Sequence, residues 1–407
     1  MLKSIELRNV GPSRHMQVDF MPRLNLLTGD NGLGKTFILD VAWWALVRRW
    51  ADLQALPDPD NSDQPTISFL QYDAAHTDPL ESRFSFEKQT WALPAKRLLN
   101  PAAVLYIRTD GGICLFDPLK GNQPYIFKPQ EIWDGLTRGR KQLCNGLIDD
   151  WTSWQLRHDE KRENYDLLSE VLESLSPSEA ERIVPGKPMR ISLGDSREIP
   201  TIRMPYGNVP VTHASSGCRR VLSIAYLLVW MWSENREAAK LTKKSPSDRM
   251  VVLFDEVESH LHPQWQRVLV PSLMEVLKQL NPKTDIQFIA STHAPLVLAS
   301  VEPHFLDEKD ALILFDLIDG DVRVENMPWQ NFGDVSSWLT SDVFGLNAAR
   351  SLQAEEAIQA ALGAINRIDM DSRTLKTLHE RLRALLKDTD PFWPRWLYYA
   401  EKKGVSL

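Results

Sequence analysis

Cysteine is scarce in this chain of 407 residues: Cys114, Cys144 and Cys218 stand far apart, and no CxxC pair occurs. That excludes a disulfide framework and a zinc knuckle, and leaves reduced thiols as the simplest reading. Long apolar runs are missing as well. The richest, VLSIAYLLVWMW from Val221 to Trp232, is too short to cross a bilayer and lies inside the sequence, so it reads as a buried helix and no membrane partner is expected. The start, MLKSIELRNV, lacks the charged-then-apolar layout of a secretion leader, from which a cytoplasmic location is expected. Excess positive charge is absent too. A formal charge of −7 argues against a grip on nucleic acid over the whole surface, because such binding is dominated by phosphate neutralisation. Only local basic clusters remain, Arg138, Arg140 and Lys141, then Arg157, Lys161 and Arg162, and runs of this kind are more often solvated helix faces. No internal repeat or coiled-coil heptad run is present.

What is present suits an ordinary globular protein, with a hydrophobic fraction of 43% and a charged fraction of 25%. The length allows a sizeable core divided into two or three lobes. Ser4 to Val10 and Val18 to Leu27 read as strands, the second running into a glycine-rich turn, and Phe37 to Trp50 reads as a helix. Thr66 to Phe127 holds short strands separated by turn signals, an expected antiparallel sheet. Residues 130 to 187 take on helical periodicity and close at VPGKP. MVVLF and IQFIAS are continuous apolar runs of the buried parallel type. Beyond Asn326 the pattern is mostly helical and ends in an aromatic tail. The expected organisation is an α/β fold: a core first half (1–129) with the antiparallel sheet, a helical lobe (130–187), a core second half (188–325), and a helical C-terminal region (326–407).

The chemistry-bearing motifs fall at the ends of those strands. GDNGLGKT, Gly29 to Thr36, satisfies GxxxxGK[ST] between an apolar strand and a helix. Asn31, Gly32 and Gly34 are expected to present backbone amides to phosphate oxygens, Lys35 a positive charge to the β and γ phosphates, and Thr36 a hydroxyl to Mg²⁺. MVVLFDE ends in two carboxylates. Asp255 would hold Mg²⁺ and Glu256 would orient or deprotonate the attacking water, although an acid pair can also simply cap the following helix. STHAP follows the next buried strand, which brings His293 out near the same sheet edge as a sensor of the γ phosphate. ASSGCRR, Ala214 to Arg220, sets small residues before a helix, where free amides suit an anion. His260 and His262 in ESHLHP have chelating spacing, but a zinc site there is not the favoured reading. The tail DPFWPRWLYYAEKK either packs on its own domain or presents its aromatic rings to a partner.

In this order the motifs resemble those of the ABC-class ATPases of the SMC and RecF type, including the single-chain ATPases of bacterial anti-phage defence of the Septu and retron-associated PtuA-like kind. The resemblance covers most of positions 1 to 300: GDNGLGKT looks like that family's phosphate loop, SSGCRR like its signature, LFDEVESHLHPQWQ like its acid strand and following loop, and STHAP like its His switch. It implies ATP and Mg²⁺ as cofactors and ATP hydrolysis as the activity. It also implies that Ser215 and Gly217 close over a nucleotide bound by a second copy, in a head-to-tail dimer. The family's glutamine that contacts Mg²⁺ and the attacking water corresponds to Gln130, with Gln71 as the rival. The sequence departs from the family in carrying Ser216 where the transporter-like signature has glycine and Cys218 where it has glutamine, and it lacks the long coiled-coil insertion. Because no HNH or TOPRIM pattern is visible, the defence resemblance implies a separate effector, such as a nuclease. A RecF-like ATP-dependent DNA-binding protein is the alternative.

Overall fold

The computed structural model describes all residues except 59–62, 73–77, 95–101, 158–161, 367–370 and 404–407. Lys161, one of the basic residues named above, lies outside the described residues. The chain divides into two compact units, Met1–Gly333 and Asp334–Leu407.

The first unit opens with β1 (Leu2–Arg8), β2 (His15–Asp19), β3 (Leu24–Gly29), α1 (Lys35–Val47), β4 (Thr66–Gln71), β5 (Leu80–Ser85) and β6 (Thr90–Trp91). There follow β7 (Ala103–Ile107), β8 (Ile113–Phe116), β9 (Tyr125–Phe127), α2 (Pro129–Asp134), β10 (Leu136–Arg138), β11 (Lys141–Cys144), α3 (Leu147–Leu156) and α4 (Arg162–Ser174). Next come β12 (Val184–Pro185), β13 (Thr201–Met204), β14 (Gly207–Pro210) and the long α5 (Ser216–Thr242). The unit closes with β15 (Arg249–Phe254), α6 (Pro263–Gln266), α7 (Leu269–Leu280), β16 (Asp285–Ser291), α8 (Pro295–Val301), β17 (Asp310–Ile318) and β18 (Asp321–Met327).

The central sheet has eight strands in the order β18-β17-β3-β16-β15-β7-β8-β9. From β17 to β7 all neighbours are parallel, and antiparallel hairpins flank them at both edges. A second, antiparallel sheet runs β2-β1-β4-β5-β6. The fold is therefore α/β with a mixed core sheet, an antiparallel N-terminal sheet, a short helical insertion and a helical C-terminal region, as expected.

Two details differ from the sequence reading. Val18 to Leu27 is not one strand: β2 pairs with β1, whereas β3 belongs to the central sheet. Pro22, which has no N–H to offer a ladder, falls at the change of sheet. Buried Asn25 closes the corner by accepting from the Met21 amide at 2.7 Å and donating to the Met21 carbonyl at 2.9 Å. The strands between Thr66 and Phe127 also divide between the two sheets. AVLYI is buried at every position and lies parallel to β15, as expected of a strand covered on both faces.

Ten of the thirteen residues of α1 are buried. The reason is its place in the core cluster, where Trp43 and Trp44 meet apolar side chains of both sheets. A helix buried on all sides shows little amphipathic periodicity. In the second unit, α9 (Val335–Leu339) precedes α10 (Leu352–Ile365), α11 (Ser372–Leu385) and α12 (Trp393–Lys402). Ala354, Ala357, Ala361 and Ala364 form a small-residue stripe on α10 that packs with Leu375, Leu382 and the aromatic tail. The tail is anchored inward: Tyr399 donates to the Ala364 carbonyl at 2.8 Å and the Trp393 indole to the Lys387 carbonyl at 2.7 Å. Among the described residues no helix is long and apolar enough to cross a membrane.

Candidate functional site

Parallel neighbours end on the same side of a sheet, so the segments after β3, β16, β15 and β7 converge at one edge. Sequence neighbours contribute little to this grouping, which is made by strand order.

The loop after β3 runs from Gly29 to Thr36. Gly29 has φ 124°, and a Cβ built there would lie 2.0 Å from the Phe315 carbonyl oxygen, so no other residue fits. Gly34 has φ 94° at the cap of α1, and its missing side chain leaves room for Pro12. Asn31 and Gly32 are exposed. Lys35 is 5% exposed and donates to the carbonyls of Gly29 at 2.9 Å and Asp30 at 2.6 Å. Burial pulls its pKa down to about 8. An ammonium destabilised in this way favours a bound anion. One turn beyond Thr36, burial lifts the Asp40 carboxyl to about 6 although it accepts from Tyr106.

Asp255 is 1% exposed at the end of β15. Thr36 Oγ1 lies 3.0 and 2.9 Å from its two oxygens, Ser291 Oγ donates to it at 2.7 Å, and the Thr109 hydroxyl makes a further hydrogen bond. Glu256 follows with φ 45°, a left-handed turn that redirects the chain after the strand. Its amide donates to Ser291 Oγ at 2.7 Å. His293 emerges after β16, its amide donating to Glu258 at 2.5 Å, while Thr292 donates to the other oxygen of Glu258 at 2.7 Å. Glu258 thus ties the acid-pair loop to the segment that carries His293.

The structure brings Lys35, Thr36, Asp255, Glu256 and His293 to this edge. Gln130 is exposed at the first turn of α2, where its amide bonds Asp134, and Gln71 ends β4 in the antiparallel sheet. Neither bonds Asp255; Thr109, directly beyond β7, does. Thr109, Ser291 and Glu258 were not singled out from the sequence. AVLYI, a continuous apolar run of the same kind as MVVLF and IQFIAS, was the available signal that the residues following it belong at the same edge.

Ser215 caps α5 by accepting from the Cys218 amide at 3.3 Å. A Cβ on Gly217 would lie 2.7 Å from the His260 carbonyl oxygen, so the start of α5 and the loop after Glu256 pack backbone to backbone. His262 caps α6. Arg220, 8% exposed, donates from Nη2 to the carbonyls of Asp255 and Glu256, both at 3.1 Å. Among the described residues its Nε and Nη1 have no hydrogen-bond partner, and it faces a cavity of about 230 Å³ lined also by Asp110, Trp133 and His260.

The donor set fits a nucleotide with Mg²⁺: oxygen ligands suit a hard cation, and the buried ammonium and free amides at the head of α1 suit phosphate. Comparisons with known proteins found the following likenesses. Residues 155–299 match the family described as AAA domain, putative AbiEii toxin, Type IV TA system, and residues 4–88 match an AAA domain family. Septu protein PtuA of Bacillus thuringiensis is 25% identical over 382 residues, covering 88% of this chain and 87% of that protein. The probable ATPase of retron Vc95 from Vibrio cholerae is 49% identical over 51 residues, which is 12% of this chain and 9% of that protein. The SMC head domain from Thermotoga maritima aligns at a TM-score of 0.39 and 16% identity, over 81% of this chain and 99% of that one.

Proposed function

We propose that the chain binds and hydrolyses ATP with Mg²⁺ in a head-to-tail dimer, as the ATPase component of an anti-phage defence complex that controls a separate effector such as a nuclease. The observation that carries this reading is Asp255, a buried carboxylate bonded by Thr36 of the phosphate loop and followed directly by Glu256. Thr36 and Asp255 would hold Mg²⁺, which when bound supplies neutralisation of phosphate charge. Amides of Asn31, Gly32 and Gly34 would cradle the phosphates, with Lys35 exchanging its loop carbonyls for phosphate oxygens. Glu256 would orient and deprotonate the attacking water, and His293 would contact the γ phosphate. Gln130 has no part in this reading, since its amide is spent on Asp134; Thr109 stands on Asp255 in its place.

The position of the signature supports the dimer. Ser215 caps its own helix and Gly217 faces His260, so neither is bonded to the loop at Gly29. Their role would be to close over the nucleotide of a second copy. The effector rests on the likeness to Septu protein PtuA. Glu256→Gln tests the mechanism: the variant should retain ATP and lose turnover, and hydrolysis at the unaltered rate overturns the assignment. Co-purification with an effector tests the partner; a lone chain that protects cells by itself sinks that part.

A further inference from the structure

The backbone ladder between β15 and β16 ends where Phe254 stands beside Ala290. Beyond it Glu256 turns at φ 45°, and side chains take over part of the pairing. The Val257 amide donates to the Ser291 carbonyl at 3.1 Å, and the Glu256 amide to Ser291 Oγ at 2.7 Å. Glu258 returns the hold. It accepts from the Thr292 hydroxyl at 2.7 Å and from the His293 amide at 2.5 Å, one on each oxygen. The ties are crossed: Ser291, the last residue of β16, holds Glu256, and the loop after β15 holds His293.

Among the described residues the half-buried His293 ring has no hydrogen-bond partner, so its place is set by its own backbone. That backbone is firm on one side, where buried Thr292 donates its amide to the Leu27 carbonyl at 2.9 Å. On the other side the Ala294 amide donates to Thr292 Oγ1 at 3.0 Å, and that hydroxyl is itself bonded to Glu258. Glu258 is thus the acceptor for the His293 amide and the partner of the hydroxyl that holds its neighbour. An amide at the end of a ladder needs an acceptor, and a loop carboxylate that supplies one also fixes the loop. Glu258 stands near the phosphate loop as well: burial disfavours the Lys35 ammonium, and Asp30, Asp255, Glu256 and Glu258 favour it. Both Glu258 oxygens already face donors, which suits a brace rather than a second base.

We propose that Glu258 is a positioning residue for His293, an inference that rests on the ATPase reading above. By gripping the His293 amide it keeps the imidazole in register with Glu256, whose own amide is held by Ser291. Glu258 itself touches neither phosphate nor the attacking water. What it supplies is placement, and small losses of placement weaken catalysis strongly. The length of the side chain therefore matters more than its charge, because a neutral amide oxygen of the same reach accepts the same bond.

Steady-state ATP hydrolysis by variants of the full chain tests this. Glu258→Asp keeps the charge and draws the carboxylate back by one methylene; it should lower kcat by about tenfold with KM for ATP unchanged. Glu258→Gln keeps the reach and loses the charge; its kcat should stay within about threefold of the unaltered chain. His293→Ala should lose turnover, and adding Glu258→Asp to it should lower turnover no further, since both changes remove one interaction. Glu258→Asp should also speed exchange of the His293 amide at an unchanged thermal midpoint, and Glu258→Gln should not. Glu258→Gln losing as much as Glu258→Asp overturns the proposal, because a charge or a base is then at work. So does Glu258→Asp turning over at the unaltered rate, or a loss that multiplies that of His293→Ala. Absence of hydrolysis in the unaltered chain instead overturns the ATPase reading. Exchange at His293 then decides alone, and an unaltered rate there in Glu258→Asp overturns the hold by Glu258.

Discussion

Thr36 Oγ1 lies 3.0 and 2.9 Å from the two carboxylate oxygens of Asp255, 219 positions further along the chain. A hydroxyl has one proton, so this is a single donor shared between two acceptors. Ser291 and Thr109 donate to the same carboxylate. The buried charge is therefore stabilised by hydroxyls, groups that can turn their lone pairs toward a cation.

Thr109→Val removes one of these donors while keeping the shape of the side chain. Stability should fall by about 1 kcal/mol, the usual scale for one hydrogen bond. The Mg²⁺ concentration for half-maximal nucleotide binding should rise, whereas Gln130→Ala should leave it unchanged. A Mg²⁺ titration at fixed nucleotide compares the two variants.

Lys35 gives a pH signature. Its folded pKa of about 8 lies below the ordinary lysine value of 10.5. Between these values the unfolded chain binds more protons than the folded one, so Lys35 makes stability rise with pH across that window. Binding of phosphate should restore the proton. Nucleotide binding above pH 8 should therefore take up a proton and weaken as pH rises, effects absent in Lys35→Met. Calorimetry in buffers of different ionisation enthalpy measures the uptake.

Arg220→Met should separate stability from turnover. The buried guanidinium has two unpartnered nitrogens, and replacing a buried ion by an apolar side chain of similar volume is often nearly neutral. Thermal unfolding should shift little. Turnover should fall, because the carbonyls of Asp255 and Glu256 lose the group that holds their turn.

Gly217→Ala drives a methyl toward the His260 carbonyl, 2.7 Å away. A fixed backbone cannot yield as a side chain can, so a loss of about 1–3 kcal/mol is expected. Denaturant unfolding gives the value. Gly363→Ala, on a helix with open space around the glycine, should instead be neutral or slightly stabilising.

In the tail, Trp396→Ala removes a fully buried indole that packs on the second unit and donates to His379 at 3.3 Å. About 3–5 kcal/mol should be lost from that unit. Leu397→Ala, on the exposed side of the same helix, should change little. Far-UV unfolding curves of the two full-length variants distinguish inward anchoring from a purely exposed tail.

Local order along the chain determined the motifs. A glycine-rich turn between an apolar strand and a helix, an apolar strand ending at Asp255 and Glu256, and a strand ending before His293 are legible because strand, turn and helix preferences act over a few residues. The α/β class followed from the continuous apolar runs, and the helical second unit from its periodicity. Tertiary structure decided which strand ends become neighbours. Val18 to Leu27 looked continuous, but the break around Pro22 sends β3 to a different sheet, a choice closed by Asn25. AVLYI is buried on both faces only because β15 lies beside it, and that pairing carries Thr109 to Asp255, leaving Gln130 elsewhere. Hydrogen bonds across 146 and 219 positions depend on strand order, a property of the whole sheet. No window of sequence contains it.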